Sequence, residues 1–377
     1  MTEAIYLDHN ATTPLLPSVI DAMLPYLREE YGNPSSDHAL GRRARAAVDT
    51  ARGQLADLIG CHPDEIVFTS GGTEANNLAI RGTTQALTTS RRTVLTSSVE
   101  HPATVAPLQH LETEGWIINR LPVTREGSID PSILPAAMTP DVALVTLMLA
   151  QNETGAMLPI AEAGEAAHAA GALMHTDAAQ AIGKIPVHVD DLNVDLLSIA
   201  GHKVNAPKGV GALYIRRGTP IRPVLLGASQ ERGIRPGTEN VASIVALGTA
   251  ADAAATDIEQ RAHHYRVLRN ELWKDLSGSI PGLTRHTPVD SLPNTLSVSF
   301  PGVLGADVLA RAPHIAASTG SACHSGTERP SAVLTAMGIA HTDAMGTVRL
   351  SLGHGNTAQD IVQVVRNLTQ AFHEARP

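Results

Sequence analysis

Residues 196–215, LLSIAGHKVNAPKGVGALYI, place two apolar runs on either side of a polar turn. Short apolar runs bounded by turn residues are typical of buried strands. The pair His202-Lys203 directly follows the first run, and a Pro-Lys-Gly turn precedes the second. We therefore expect Lys203 to lie at the end of a buried strand.

Similar apolar runs occur on both sides of this stretch, at 66–68, 93–95, 142–149 and 173–175. Helical periodicity is present at 16–27, from residue 41 to 59, and at 160–170. Alternation of this kind is typical of a mostly parallel sheet with helices on both faces. The sequence predicts an α/β fold with such a sheet at its centre.

A long Ala-rich helical stretch covers 241–276 and separates two patterns of elements. Beyond Pro281 the expected strands 295–300, 314–317 and 347–352 alternate with helices. This change predicts a large domain over 15–258 and a smaller α+β domain formed by 1–14 and 259–377.

Composition excludes several classes of protein. The 377 residues carry 28 Lys+Arg against 37 Asp+Glu, a net charge of −9, and no basic block is longer than a pair, which argues against nucleic-acid binding. No apolar run approaches the roughly 20 residues of a membrane span, and the N-terminus lacks a basic segment before an apolar one. The 2 cysteines cannot form a disulfide framework, and the absence of CxxC and HExxH argues against a metal site. We expect a soluble cytoplasmic protein.

Lys203 is a candidate for covalent chemistry, because a lysine at the end of a buried strand loses hydration unless it is paired or chemically altered. Such a lysine can form a Schiff base, although a lysine that only extends to the surface fits the same pattern. Used with pyridoxal phosphate, it needs a carboxylate, a ring-stacking partner and a phosphate site. Asp177, after the apolar run 173–175, supplies the carboxylate at the expected edge of the sheet.

Two further motifs supply the other supports. In SGGTEANN (70–77), glycines permit close backbone approach, and Gly72 and Thr73 open a helix whose N–H groups can bind phosphate. A turn of this composition is more often only an N-cap. His101 follows another strand, where its ring can stack and carry protons, although a lone histidine there is more often a hydrogen-bonded surface group.

With these motifs in this order, the chain resembles the cysteine desulfurases of the class V aminotransferase group, which are fold type I pyridoxal phosphate enzymes. The resemblance extends from YLDHNATTP (6–14) and GNPSS (32–36) to VRLSLG (348–353). It implies a set of roles around pyridoxal 5'-phosphate. These are Lys203 as the Schiff-base lysine, Asp177 at the ring nitrogen, Gln180 at the phenolic oxygen, His101 as stacking acid-base, Gly72, Thr73 and His202 near the phosphate, and Asn152 with Arg349 at the substrate carboxylate.

The segment 318–328 resembles the nucleophile loop of that family, and Cys323 lies within it between small polar residues. The resemblance implies that L-cysteine is converted to L-alanine, that a persulfide forms on Cys323, and that an acceptor protein takes the sulfur. Cys61, in LIGCHP at a helix end, is expected to fill space instead.

The segment 231–240, ERGIRPGTEN, resembles the family stretch that reaches into a partner subunit. The resemblance therefore implies a homodimer in which Thr238 completes the phosphate site of the other protomer. It leaves open whether the sulfur goes to iron–sulfur clusters, modified tRNA or a secondary metabolite.

Two departures and three alternatives remain at this stage. The sequence has little tail after its last expected helix, whereas some family members use a C-terminal extension to dock a scaffold protein, so delivery to an iron–sulfur scaffold is less expected. Ala200 stands where many desulfurases have serine, so one phosphate hydroxyl is expected to be missing. The motifs around Lys203 and Cys323 also look like those of selenocysteine lyases, which release selenide and alanine. An aminotransferase of the same fold would need no cysteine in the loop, and a non-enzymatic partner protein would have lost the lysine or the thiol.

Overall fold

The computed structural model describes residues 4–319, 321–324 and 327–376, and the side chains of residues 321–328 lie outside this description. The strands are β1 Ile5–Tyr6, β2 Ile66–Thr69, β3 Thr93–Ser97, β4 Ile117–Leu121, β5 Val142–Met148, β6 Leu173–Asp177, β7 Leu196–Ala200, β8 Gly211–Ile215, β9 Thr284–Arg285, β10 Thr295–Ser299, β11 Ile315–Ala316, β12 Ser318–Thr319, β13 Ser321–His324, β14 Thr327–Pro330 and β15 Thr347–Ser351. The α-helices are α1 Pro17–Arg28, α2 Ala39–Ile59, α3 Gly72–Asn77, α4 Thr83–Ala86, α5 Pro102–Thr113, α6 Leu134–Ala137, α7 Ile160–Ala169, α8 Val241–Ser279, α9 Gly305–Ala310, α10 Ala332–Ala336, α11 His341–Met345 and α12 Ala358–Ala375.

The central sheet has seven strands in the described part of the chain, in the order β2-β8-β7-β6-β5-β3-β4. All neighbouring pairs from β7 to β4 are parallel, and β8 runs antiparallel to both β2 and β7. Strands β5 and β7 are buried along their whole length, as expected for strands with helices on both faces. The predicted α/β class with a mostly parallel sheet is confirmed.

Local sequence signals explain where several helices begin and end. Helix α1 has Pro17 at its first position, where a missing N–H costs nothing. Helix α2 ends at Gly60, whose φ of 68° is the left-handed conformation that favours glycine. Helix α12 begins with a capping box in which Thr357 and Asp360 bond each other's main-chain N–H groups.

A second sheet has the order β12-β15-β10-β9 and its own apolar core. Leu272 of α8, Leu296, Leu350 and Ile361 are fully buried in that core, which is separate from the one around the central sheet. The N-terminal strand β1 pairs with β11. These contacts support the predicted division into two domains, whose exact boundaries stay a prediction.

Helix α8 connects the two cores, and its backbone leaves the helical region at Asp257, where φ is −137°. By length and composition it is the one helix of the described chain that could cross a membrane, but half of its most apolar stretch is buried inside the protein. A buried core helix has the same composition, so this helix carries no argument for a membrane.

Most elements agree with the sequence prediction, but the edge strand β4 was not predicted. Four of its five residues are exposed or only half-buried, because it has a neighbour on one side only. A strand with so little burial lacks the apolar run by which the other strands of this sheet were recognised.

Candidate active site

The predicted site residues converge on one cleft, at the carboxyl ends of β5, β6 and β7 and beside the starts of α3 and α5. Ligands of open parallel sheets bind at this edge. Eight of the predicted residues line the cleft: Gly72, Thr73, His101, Asn152, Asp177, Gln180, His202 and Lys203.

Lys203 lies on the 3₁₀ turn that follows β7 and is only partly exposed. Its Nζ donates to the main-chain carbonyl oxygens of Asn10 at 2.5 Å and Ala11 at 2.7 Å. Burial, followed by the positive charge of Arg349, lowers the pKa of Lys203 to about 8. A lowered lysine pKa increases the fraction of neutral amine, which is the form that attacks a carbonyl carbon.

Asp177 is the last residue of β6 and is buried. Its Oδ1 accepts from the Ala179 N–H at 2.9 Å, and its Oδ2 accepts from the Asn76 side-chain amide at 2.7 Å. Two donors therefore hold the carboxylate in one orientation at the edge of the cleft. This arrangement suits a carboxylate that binds the ring nitrogen of a cofactor such as pyridoxal phosphate.

His101 is the N-cap residue of α5, and its Nδ1 accepts from the Ala103 N–H at 3.1 Å. Burial lowers the pKa of His101. The negative charge of Asp177 opposes this shift, and the positive charge of Lys203 adds to it. The ring is therefore neutral near pH 7, and the bond at Nδ1 places its proton on Nε2.

The side of the cleft predicted to bind phosphate is formed by the loop before α3 and by the residues after β7. Gly71 has a φ of 146°, a conformation that side chains rarely adopt. A Cβ on Gly72 would meet the Ala200 Cβ at 3.2 Å, a crowded contact that glycine avoids. The Thr73 side chain faces the same cleft. Burial, with Lys203 as the next contribution, lowers the pKa of His202 to about 4, so His202 is neutral.

Arg349 of β15 lies behind Asn152, outside the set of residues that line the cleft in the described chain. Its Nη1 donates to the Asn152 carbonyl oxygen at 3.1 Å, and its Nη2 donates to Asp8 Oδ1 at 2.6 Å. The Arg349 Nε is buried and has no hydrogen-bond partner in the part of the chain that the structure describes.

Besides Arg349, two more predicted site residues are absent from the cleft lining in the described chain. Thr238 is exposed on the segment that precedes α8. Cys323 belongs to β13, and its side chain lies outside the described residues. Cys61 packs against the main core, and burial raises the pKa of its thiol to about 12, which makes it a poor nucleophile.

The structure adds three residues to which the sequence assigned no role. Asn76 holds Asp177, Asn10 accepts from Lys203 through its carbonyl group, and Lys184 contacts both Asn10 and Gln180. Asn10 and Asn76 stand inside the motifs quoted above. A lysine in the apolar stretch AIGKIPV (181–187) is the only signal that could have pointed to Lys184.

The residues of the cleft fit pyridoxal phosphate. This cofactor requires an amine, a carboxylate for its ring nitrogen and a phosphate site. The cleft supplies Lys203 with its lowered pKa, the buried and oriented carboxylate of Asp177, and a glycine loop in which a Cβ on Gly72 would crowd Ala200. Asn76 also lines the cleft, and its buried Oδ1 has no hydrogen-bond partner in the described residues. This oxygen is therefore available to accept a hydrogen bond.

Comparison with known proteins agrees with this geometry. Residues 5–364 match the family described as aminotransferase class-V. A cysteine desulfurase of Nostoc sp. (strain PCC 7120 / SAG 25.82 / UTEX 2576) is 44% identical over 375 residues, which cover 99% of this chain and 94% of that protein. The solved structure of a NifS-like protein has a TM-score of 0.93 at 35% identity and covers 98% of this chain and 100% of its own. The structure of SspA in complex with cysteine has a TM-score of 0.82 at 33% identity, with 92% and 98% covered. The chain therefore belongs to the class V aminotransferase family and, within it, to the cysteine desulfurases.

Proposed function

We propose that this protein uses pyridoxal phosphate to convert L-cysteine to L-alanine, and that the sulfur is held as a persulfide on Cys323 before an acceptor protein takes it. The observation that carries the proposal is the pairing of Lys203, with its lowered pKa, and the oriented carboxylate of Asp177 in one cleft. Members of this family are pyridoxal phosphate enzymes, and the related SspA structure contains cysteine.

Lys203 is the residue that would bind the aldehyde of the cofactor. At pH 7, a pKa of about 8 leaves about a tenth of the Lys203 side chains neutral. At the usual lysine pKa, roughly one in three thousand would be neutral. The site therefore supplies a nucleophilic amine that needs no neighbouring base to remove its proton.

When bound, the cofactor supplies a conjugated ring that accepts the electron pair left on the substrate carbon. Asp177 would hold the protonated ring nitrogen, and Asn76 with the Ala179 N–H keeps Asp177 in place. His101 carries a proton on Nε2 that it can donate. Gly72, Thr73 and His202 would bind the phosphate through N–H and side-chain donors.

The substrate carboxylate would be bound by Asn152, which lines the cleft, and by Arg349, which lies behind Asn152 and would have to turn part of its guanidinium toward the cleft. The bonds of Arg349 to Asp8 and to the Asn152 carbonyl group hold the guanidinium beside Asn152 before substrate arrives. A fixed guanidinium loses less conformational freedom when it binds a carboxylate than a flexible one does.

Sulfur transfer is a nucleophilic step at the substrate sulfur. The Cys323 thiolate attacks this atom, a bond forms between the two sulfurs, and the bond between sulfur and Cβ breaks. The electron pair of the broken bond goes to the carbon side, and protonation there gives alanine. No external oxidant is required, because the two electrons that sulfur loses in forming the persulfide go to the carbon that becomes the methyl group of alanine.

We further propose a soluble, cytoplasmic homodimer in which Thr238 completes the partner's phosphate site. Two contacts support a rigid segment around Thr238. Glu231 is buried and bonded to Arg52 at 2.6 Å, and Arg235 donates to Glu74 of α3 at 2.8 Å.

The test is alanine release from L-cysteine and from L-selenocysteine, measured side by side with the visible absorbance of the purified protein. We expect a yellow protein that releases alanine from both substrates. Lys203→Ala should lose the visible band and the activity, and Lys274→Ala, at an exposed lysine of α8, should keep both. A colourless wild type in the presence of added cofactor contradicts the proposal, and alanine from selenocysteine alone identifies a selenocysteine lyase.

A further inference from the structure

Lys184 is a buried lysine that the mechanism above does not use. It lies 4 residues after Gln180 and is 5% exposed. Its Nζ donates to Gln180 Oε1 at 2.6 Å and to Asn10 Oδ1 at 2.8 Å. No carboxylate forms a salt bridge with Lys184 among the residues that the structure describes. A lysine is rarely buried without such a partner, since its desolvation is costly.

The amide of Gln180 is held from both ends. Lys184 donates to its Oε1, and its Nε2 donates to the main-chain carbonyl oxygen of Asn10 at 2.9 Å. This carbonyl oxygen also accepts from Lys203 Nζ. Because a carbonyl oxygen can only accept, the Gln180 N–H group must face Asn10 and Lys203, and its oxygen must face Lys184.

The amide of Asn10 is fixed in the same way. Its Nδ2 donates to the Asn152 carbonyl oxygen at 3.1 Å and to Thr295 Oγ1 at 2.8 Å. Its Oδ1 therefore faces Lys184 and also accepts from Asn294 Nδ2 at 3.1 Å. The two amides leave Lys184 Nζ with two oxygen acceptors, which is the arrangement that an amine donor requires.

We propose that Lys184 is a positioning residue that fixes the side-chain amide of Gln180, so that the Nε2–H not bonded to Asn10 is available to the cofactor beside Lys203. The inference rests on the proposed function, in which Gln180 donates to the phenolic oxygen of the cofactor. Gln180 lines the cleft, whereas Lys184 is not among the lining residues in the described chain and is linked to them by its hydrogen bonds to Gln180 and Asn10. A rotated Gln180 amide would present its oxygen to the phenolic oxygen, and the two acceptors would repel each other.

Burial, followed by the positive charges of Lys203 and Arg349, lowers the pKa of Lys184. An amine that has lost its proton can still donate two hydrogen bonds. The geometry therefore serves the Gln180 amide whether Lys184 is protonated or neutral.

The experiment compares the holoenzymes of Lys184→Met, Gln180→Leu and the double variant, with Lys274→Met as the matched control at an exposed lysine. The measurements are the dissociation constant of pyridoxal phosphate, the position of the visible band and the thermal unfolding midpoint. We expect Lys184→Met to weaken cofactor binding about tenfold and to shift the band as Gln180→Leu does. The double variant should bind no more weakly than Gln180→Leu alone, because Lys184 acts through Gln180.

Two results overturn the inference. One is a Lys184→Met enzyme with wild-type cofactor affinity and band position. The other is a double variant whose loss of cofactor affinity is the product of the two single losses. If Lys184→Met does not fold, the double variant carries the test, because it leaves no unpaired oxygen on residue 180. Lys184→Gln keeps an N–H donor and should return the band toward its wild-type position. A wild type without a visible band would instead overturn the proposed function itself.

Discussion

Replacing Asn76 by alanine removes one of the two hydrogen bonds that hold the Asp177 carboxylate. The Asn76 Nδ2 lies 2.7 Å from Asp177 Oδ2 and 3.4 Å from Thr104 Oγ1, and Asn76 is 1% exposed. A hydrogen bond to a charged group contributes about 1.5–3 kcal/mol. If the reaction requires the orientation of Asp177 that this bond fixes, the lost energy corresponds to a loss of kcat of roughly 10- to 150-fold.

The effect of Asn76→Ala on folding should be much smaller than its effect on kcat. The Asn76 Oδ1 is buried without a partner in the described residues, so alanine also removes an acceptor whose burial is unfavourable. The two contributions oppose each other, and we expect the thermal unfolding midpoint of the apoprotein to change by less than about 4 °C.

The assay is alanine release at saturating cysteine and excess cofactor, with cofactor occupancy measured by absorbance. The matched control is Asn77→Ala, because Asn77 is the next residue of α3 and its side chain bonds only the Thr73 carbonyl oxygen among the described contacts. The reasoning is refuted if Asn76→Ala, fully loaded with cofactor, keeps kcat within about threefold of wild type. It is also refuted if Asn77→Ala loses as much.

Three further predictions concern the same cleft. Ala200→Ser adds a hydroxyl group beside Gly72 and should tighten cofactor binding about three- to tenfold, measured as a dissociation constant; unchanged or weaker binding contradicts it. Capture of the cofactor by the apoprotein requires neutral Lys203, so its rate should rise with pH up to about 8 and then level off. The rate is measured by absorbance. If it still rises steeply between pH 9 and 10, the pKa of Lys203 is not lowered. Cys323→Ser should keep the visible band but lose sulfide release, whereas Cys61→Ser should keep both, since Cys61 packs against the core.

Much of the fold could be predicted because its signals are local. The apolar runs that became β5, β6 and β7 are bounded by turn residues, and each is buried almost completely. The turn residues that follow these strands predicted where Lys203 and Asp177 lie. The edge strand β4 was missed because its side chains are mostly exposed, so no continuous apolar run marks it.

The contacts behind the site were not predictable in the same way. Lys184 and Asn10 are 174 positions apart in sequence, and Asn76 and Asp177 are 101 apart. Nothing in the local pattern of a lysine or an asparagine specifies a partner so distant. The role of these residues follows from which amide oxygen faces which donor, and this depends on how the N-terminal segment packs against the ends of the strands.

The sequence by itself determined the reactive groups and the strand ends on which they stand: an amine, a carboxylate, an imidazole and a glycine turn, each placed by local periodicity. Only the tertiary structure decided their chemical state. Burial and the charge of Arg349 lower the pKa of Lys203 to about 8, and Asn76 fixes the Asp177 carboxylate. The physical reason is that periodicity is a property of neighbouring residues, whereas desolvation and hydrogen-bond geometry depend on every group that packs around a site.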